Sequence, residues 1–257
     1  MKNADISAII ITKNEEKDIE GCIKTLPFAK EIIVVDNGST DKTVDKAKSL
    51  DAKVVVSGTL DFSYLRNLGR EKAEHEWLFY IDADERVTPH LKESLVKAAK
   101  NIRGKYCAYA VRRKNYYLGV EWPNEEKMVR LVRKKDLLGW YGSLHETPQV
   151  LGKVDDIKEG ILLHFAHNDI SEMVEKTNQW SNLEAQLRYK NNHPNMTPWR
   201  FFRVMSTAFM KSYVTDGGYK AGTTGLIESV YQSFSMFITY AKLWEKQNGD
   251  KLYDEEK

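Results

Sequence analysis

The run Ile6-Ser7-Ala8-Ile9-Ile10-Ile11, which leads straight into Thr12-Lys13-Asn14-Glu15-Glu16, decides how the chain is read. Three similar runs follow it: Ile32–Val35, Val54–Val56 and Trp77–Ile81. Such β-branched and aromatic runs suit strands buried on both faces, as in a parallel sheet. Between the first two lies a helical stripe of Ile19, Cys22, Ile23 and Leu26, and between the second and third one of Val44, Ala47 and Leu50. The β-α-β-α-β series predicts a doubly wound α/β domain. Ligands of such sheets bind at the carboxyl ends of the strands, so the residues just after each run are the ones to inspect.

Beyond residue 105 the pattern changes. Tyr106–Val111, Met128–Val132 and Ile161–Phe165 read as further strands. From Asp169 onward the chain reads helical. Asp169 and Glu172 resemble a capping box, followed by Met173, Trp180, Leu183 and Leu187 at helical spacing. Asn191–Pro198 is a break, and Trp199–Val214 and Leu226–Trp244 are two apolar, aromatic-rich helical segments.

Composition narrows the class. At 257 residues the chain holds one large domain or a domain with an appendage. Lys+Arg is 39 and Asp+Glu 37, a net charge of +2, which argues against a dedicated nucleic-acid binder. Cys22 and Cys107 are far apart, so neither a disulfide framework nor a cysteine-rich zinc site is expected. Met1–Asp5 carries no apolar core of a signal peptide, and a cytosolic chain is the expectation.

The strand ends carry the chemistry. Asn14 could line a ligand or simply cap the next helix. The second run ends in Asp36-Asn37-Gly38-Ser39-Thr40-Asp41, where Asp36 could accept from a ribose hydroxyl or a base N–H, or belong to an ordinary well-capped turn. Arg66, in Asp61–Asn67 after the third run, could reach a phosphate or lie on a helix surface. The fourth run drives into Asp82-Ala83-Asp84-Glu85. Three carboxylates at the mouth of a buried strand repel one another, and a divalent cation among them would lower that cost.

Together these motifs resemble the family 2 glycosyltransferases, with their α/β GT-A fold. The resemblance extends to the bacterial branch of lipopolysaccharide-core β-glucosyltransferases through Asp61–Asn67, Arg130-Leu131, Gly142-Ser143-Leu144-His145-Glu146, Leu162-Leu163-His164-Phe165 and Ala241–Glu245. It implies a GT-A catalytic domain over 1–168, with a nucleotide-binding half to about residue 100 and an acceptor half after it, and a C-terminal helical extension over 169–257. It implies a metal-dependent inverting enzyme. The sugar moves from a nucleotide-diphosphate donor, a UDP-hexose, to a hydroxyl of a glycan, glycolipid or lipopolysaccharide-core acceptor. Thr12, Asn14, Glu15, Asp36, Arg66 and Asp82 would bind the nucleotide sugar. Asp84, Asp82 and His164 would bind Mg²⁺ or Mn²⁺. Glu146 is the candidate base, with His145 sharing that role, because many relatives carry an acidic pair where this chain has His145-Glu146. His167 is a weaker candidate of the same sort as His164.

Two other classes stay in view. A nucleotidyltransferase usually opens with a Gly-rich phosphate loop, and Thr12–Glu16 has no glycine. A non-catalytic sugar-nucleotide binder would not need Asp82, Asp84 and Glu146 intact. The basic clusters Arg112-Arg113-Lys114 and Arg130–Lys135 are either a solvated face or a surface for an anionic acceptor. Leu226–Trp244 is interrupted by Glu228, Gln232 and Lys242, whereas Trp199-Arg200-Phe201-Phe202-Arg203 suits a bilayer interface. The C-terminal helices therefore either pack as a helical subdomain or touch the inner face of the cytoplasmic membrane peripherally.

Overall fold

The computed structural model describes residues 5–59, 61–101, 105–142, 146–167 and 169–253, with the side chains of 167 and 250–253 excepted. Four parallel strands form the frame: β1 (Ile6–Thr12), β2 (Glu31–Asp36), β3 (Lys53–Val56) and β4 (Trp77–Asp82), in the order β3-β2-β1-β4. Helices α1 (Ile19–Lys24), α2 (Thr43–Ser49) and α3 (Phe62–Lys72) connect them. The apolar runs have no polar alternation because both faces are covered. Ile6, Ala8 and Ile10 pack into one core with Trp77, Phe79 and Ile81, while Ile9 and Ile11 pack into another with Leu65, Leu78 and Tyr80. This is the expected α/β arrangement.

The sheet then turns mixed. After β5 (Glu85–Val87) and α4 (Pro89–Lys100) come β6 (Tyr106–Tyr117) and β7 (Val120–Arg133), with β7 antiparallel to β4. A small hairpin of β8 (Leu137–Tyr141) and β9 (Thr147–Val150) follows, then β10 (Lys153–Asp156) and β11 (Leu162–His167). The order continues β4-β7-β6-β11-β5, with β10 on β6. The β6–β7 hairpin runs well past the apolar stretches that announce it. Its turn is Leu118-Gly119, both with positive φ (49° and 78°). A leucine in the left-handed region gives none of the usual Asn-Gly signal of such a turn.

The chain divides into two compact units: residues 1–114 with 125–164, and residues 115–124 with 165–257. In the second, α5 (Ile170–Lys190) starts at Asp169, whose carboxylate accepts from the Glu172 amide at 2.8 Å. It is followed by α6 (Pro198–Met210), a wider π-type turn over Lys211–Thr215, and α7 (Gly222–Tyr253). Ala185, Met196, Tyr240 and Leu243 form this unit's own core. Gly225 is obligatory here, since a Cβ would lie 1.8 Å from the Gly218 carbonyl oxygen.

Candidate active site

Strand register brings three expected site residues to one end of the sheet, Thr12 and Asp36 in the same row and Asp82 one row back. Thr12 pairs with Asp36 across β1 and β2, and Ile11 pairs with Asp82 across β1 and β4. The Thr12 Oγ1 is buried and has no hydrogen-bond partner among the described residues. Asp36 is buried as well, and its carboxylate accepts from the amide and the hydroxyl of Ser39, at 2.9 and 2.5 Å.

The loops after β1 and β2 are clasped together. Asn14 sits in the left-handed region (φ 54°), and its Oδ1 accepts from the Thr40 amide at 2.8 Å. The Glu15 amide donates to Thr43 Oγ1 at 2.8 Å, and the Glu16 amide to Asp41 Oδ2 at 3.1 Å. Asn14 and Glu15 thus shape the rim of this edge through loop geometry, a role that spacing alone could not separate from ligand contact.

α3 delivers Arg66. Asp61 caps the helix by accepting from the Tyr64 amide at 3.1 Å, and Leu65, Arg66 and Gly69 form its buried side. A Cβ on Gly69 would lie 2.4 Å from Ile9 Cγ2, so only glycine lets the helix rest this close to β1. Arg66 is 5% exposed, with its guanidinium 4.8 Å from the Trp140 ring and 5.9 Å from that of Tyr80. Its Nε donates to Glu146 Oε1 at 2.7 Å and its Nη2 to Asp82 Oδ1 at 3.1 Å. The buried Nη1 has no hydrogen-bond partner among the described residues.

From Asp82 the network continues inward. Arg130 Nη2 donates to Asp82 Oδ2 at 2.9 Å and to Glu85 Oε1 at 2.6 Å. Arg113 Nη1 reaches the same Glu85 oxygen at 3.1 Å, and the Asp82 amide donates to Glu85 Oε2 at 2.9 Å. Removal from water opposes ionisation of Asp82, but Arg130 and Arg66 outweigh it and hold the carboxyl well below the usual range. Burial pushes the Glu85 carboxyl up, Arg130 opposes this, and the charge of Asp82 adds to it.

Two sequence readings change here. Arg113 and Arg130 are not part of a freely solvated face: both reach Glu85, which is fully buried, and Arg113 also pairs with Glu126. A charged group this deep needs a partner, and an arginine inside the otherwise apolar stretch Met128–Val132 was the available signal. Furthermore, the carboxylates of Asp82 and Glu85 are compensated by guanidinium groups. Their mutual repulsion therefore does not itself require a cation.

Asp84 is the third acid of the run. The antiparallel β5–β11 ladder pairs His164 with Glu85 and so sets His164 Nε2 3.3 Å from Asp84 Oδ2. Burial works against a charged imidazole, but the Asp84 carboxylate prevails and raises the His164 pKa. Asp82, expected alongside these two, has both oxygens on arginines, and among the described residues no group of three or more His, Cys, Asp and Glu could hold a metal ion. The donor set does fit two ligands: an imidazole nitrogen and a carboxylate oxygen about 3 Å apart can share one cation whose other positions go to phosphate and water. His145 and the His167 side chain lie outside the described residues.

The parallel strands, the acidic end of β4 and the arginines around it define an α/β transferase of the GT-A type. The Glycosyl transferase family 2 model matches residues 7–207, and the chain belongs to that family. It is 29% identical over 257 residues to the lipopolysaccharide core biosynthesis glycosyltransferase LpsC of Rhizobium meliloti (strain 1021), covering 94% of this chain and 92% of that one. An uncharacterized glycosyltransferase of Rickettsia bellii (strain RML369-C) is 30% identical over 257 residues, covering 93% and 86%. Among solved structures, S. aureus TarS 1–349 covers 95% of this chain and 92% of that one, with TM-score 0.44 and 15% identity, too loose a likeness to carry chemistry across. The chain is a glycosyltransferase.

Proposed function

We propose that the enzyme moves a hexose from a UDP-type donor to a hydroxyl of a lipopolysaccharide-core or related glycan acceptor, with inversion at the anomeric carbon. The observation that carries this reading is Arg66, which ties Asp82, at the end of the nucleotide-side strand β4, directly to Glu146. One guanidinium thereby holds the residue proposed for the donor beside the residue proposed as base. The buried, unpartnered Thr12 Oγ1 and Arg66 Nη1 supply donors for a nucleotide diphosphate at the same edge. Asp36 would take the uracil or ribose, within the rim that Asn14 and Glu15 shape.

Asp84 and His164 would hold a divalent cation, Mg²⁺ or Mn²⁺. When bound, it neutralises charge gathering on the leaving diphosphate. Glu146 has one oxygen on Arg66, and the other is the proton acceptor for the attacking hydroxyl. Attack from the face opposite the leaving group inverts the anomeric carbon. The acceptor class follows the name of LpsC, of which this chain covers nearly the whole length. A panel of UDP-hexoses with Mn²⁺ and rough lipopolysaccharide tests the reading. UDP release that depends on acceptor and is lost in Glu146→Gln supports it. With pyrophosphate added, conversion of UDP-hexose to UTP and hexose 1-phosphate would point instead to nucleotidyl transfer.

A further inference from the structure

Helices α6 and α7 carry a surface that contains none of the candidate site residues. Between Glu184 and Asp216 the sequence has no acid, while Arg188, Lys190, Arg200, Arg203 and Lys211 all fall there. Most of that stretch is α6 and the turn after it. Phe201 and Val204 face inward, against Met196, Tyr240 and Leu243. The opposite side is apolar too, yet uncovered: Trp199 is 67% exposed, Phe202 62%, Met210 52% and Val214 49%. Trp199 and Phe202 stack on each other with ring centroids 5.6 Å apart. Two apolar faces on one helix mean that packing within this unit explains only one of them.

The charges choose the partner. Arg188 is committed to Glu184 and Tyr240, and Lys211 to Asp216 at 2.6 Å. Arg200 and Arg203, one turn apart and flanking Trp199 and Phe202, make no ion pair among the described residues. Neighbouring α7 packs on α6 through Phe201 and Phe237, with ring centroids 5.8 Å apart. It adds exposed Ile227, Val230, Phe234 and Phe237, and the one acid of that stretch, Glu228, is buried. An apolar ridge edged by aromatics and bearing only cations repels a second copy of itself. It is complementary to an anionic bilayer surface, where aromatic rings sit at headgroup level and arginines meet phosphates. No described helix is long and apolar enough to cross a membrane, so contact through this ridge is interfacial.

We propose that α6, with the exposed stripe of α7, docks the protein onto an anionic lipid bilayer. The inference is independent of the catalytic reading, because its test involves no turnover. The full chain is floated with vesicles of phosphatidylcholine alone or phosphatidylcholine mixed with phosphatidylglycerol, at low and high salt. The expected result is flotation with the anionic vesicles only, weakening as salt rises. Arg200→Glu/Arg203→Glu should lower partitioning by at least about thirtyfold, the loss expected for two cations near an anionic surface. Trp199→Ala/Phe202→Ala should lower it at every salt concentration. Equal flotation on neutral vesicles, or none on anionic vesicles at low salt, overturns the proposal. So does a dimer in sedimentation velocity that the Trp199→Ala/Phe202→Ala variant abolishes while vesicles are ignored. The wild-type salt series decides the matter even if a variant misfolds.

Discussion

Arg66 Nε stands 2.7 Å from Glu146 Oε1, while the same guanidinium holds Asp82 at 3.1 Å and stacks on Trp140. Removing this arginine leaves Glu146 without its guanidinium and Asp82 with Arg130 alone, and breaking a buried pair from one side typically costs ~3–5 kcal/mol. Arg66→Met should show such a loss in urea denaturation. Because the two residues share one interaction, adding Glu146→Ala, which removes the acceptor outright, should cost less than the sum of the singles, by roughly 0.5–3 kcal/mol. Strict additivity would mean that the pair contributes nothing.

Glu146→Gln should keep the hydrogen bond from Arg66 and lose the base. The expected outcome is a fall in kcat of roughly 10²–10⁴-fold with donor KM little changed. A rise in donor KM with kcat intact would make Glu146 a binding residue.

Asp84 and Asp82 should separate cleanly. Asp84→Asn and His164→Ala should each weaken Mn²⁺ binding, followed by calorimetry with UDP present, by about tenfold or more. Asp82→Asn should instead lower thermal stability, because it leaves Arg66 and Arg130 short of a counter-charge. If Asp82→Asn alone removed metal binding at unchanged stability, the assignment of ligands would be reversed.

The loop clasp predicts a pH signature. Asp41 is partly withdrawn from water, but hydrogen bonds from Thr43 and the Glu16 amide dominate and lower its pKa from the ordinary value of 3.8. A group whose folded pKa is depressed contributes stability above its unfolded pKa and loses it as pH falls through the folded one. Asp41→Asn should therefore cost about 1 kcal/mol at pH 7. That gap should narrow as pH drops below about 4, in a series of urea midpoints. A gap that stays constant with pH would remove the carboxylate from the account.

Gly69→Ala should be destabilising by about 1–3 kcal/mol, because the new methyl would overlap Ile9. Since Gly69 lies one turn beyond Arg66 on α3, relief of that clash moves the arginine. Activity under conditions where the variant is fully folded should still fall severalfold. Wild-type activity in the folded variant would show that α3 can shift without disturbing the site.

The parallel core was legible in the sequence because burial on both faces leaves short, continuous apolar runs, and their brevity and β-branched or aromatic content mark them as strands, as in Ile6–Ile11 and Trp77–Ile81. Their polar ends, Asp36 and Asp82, were legible for the same reason: they are the points where the runs stop. The second-unit helices also announced themselves, through the Asp169 cap and the break before Pro198. What the sequence could not contain was the pairing of charges. Arg113 looks like any surface cation and Arg130 is marked only by the apolar stretch around it; neither names its partner until β6 and β7 are placed between β4 and β11, which turns both onto Glu85. Likewise, His164 meets Asp84 only because the β5–β11 register aligns segments some eighty residues apart, and Arg66 meets Glu146 across a similar interval. Local pattern records where a side chain is buried. Which opposite charge it meets there depends on strand order and register, and those belong to the tertiary structure alone.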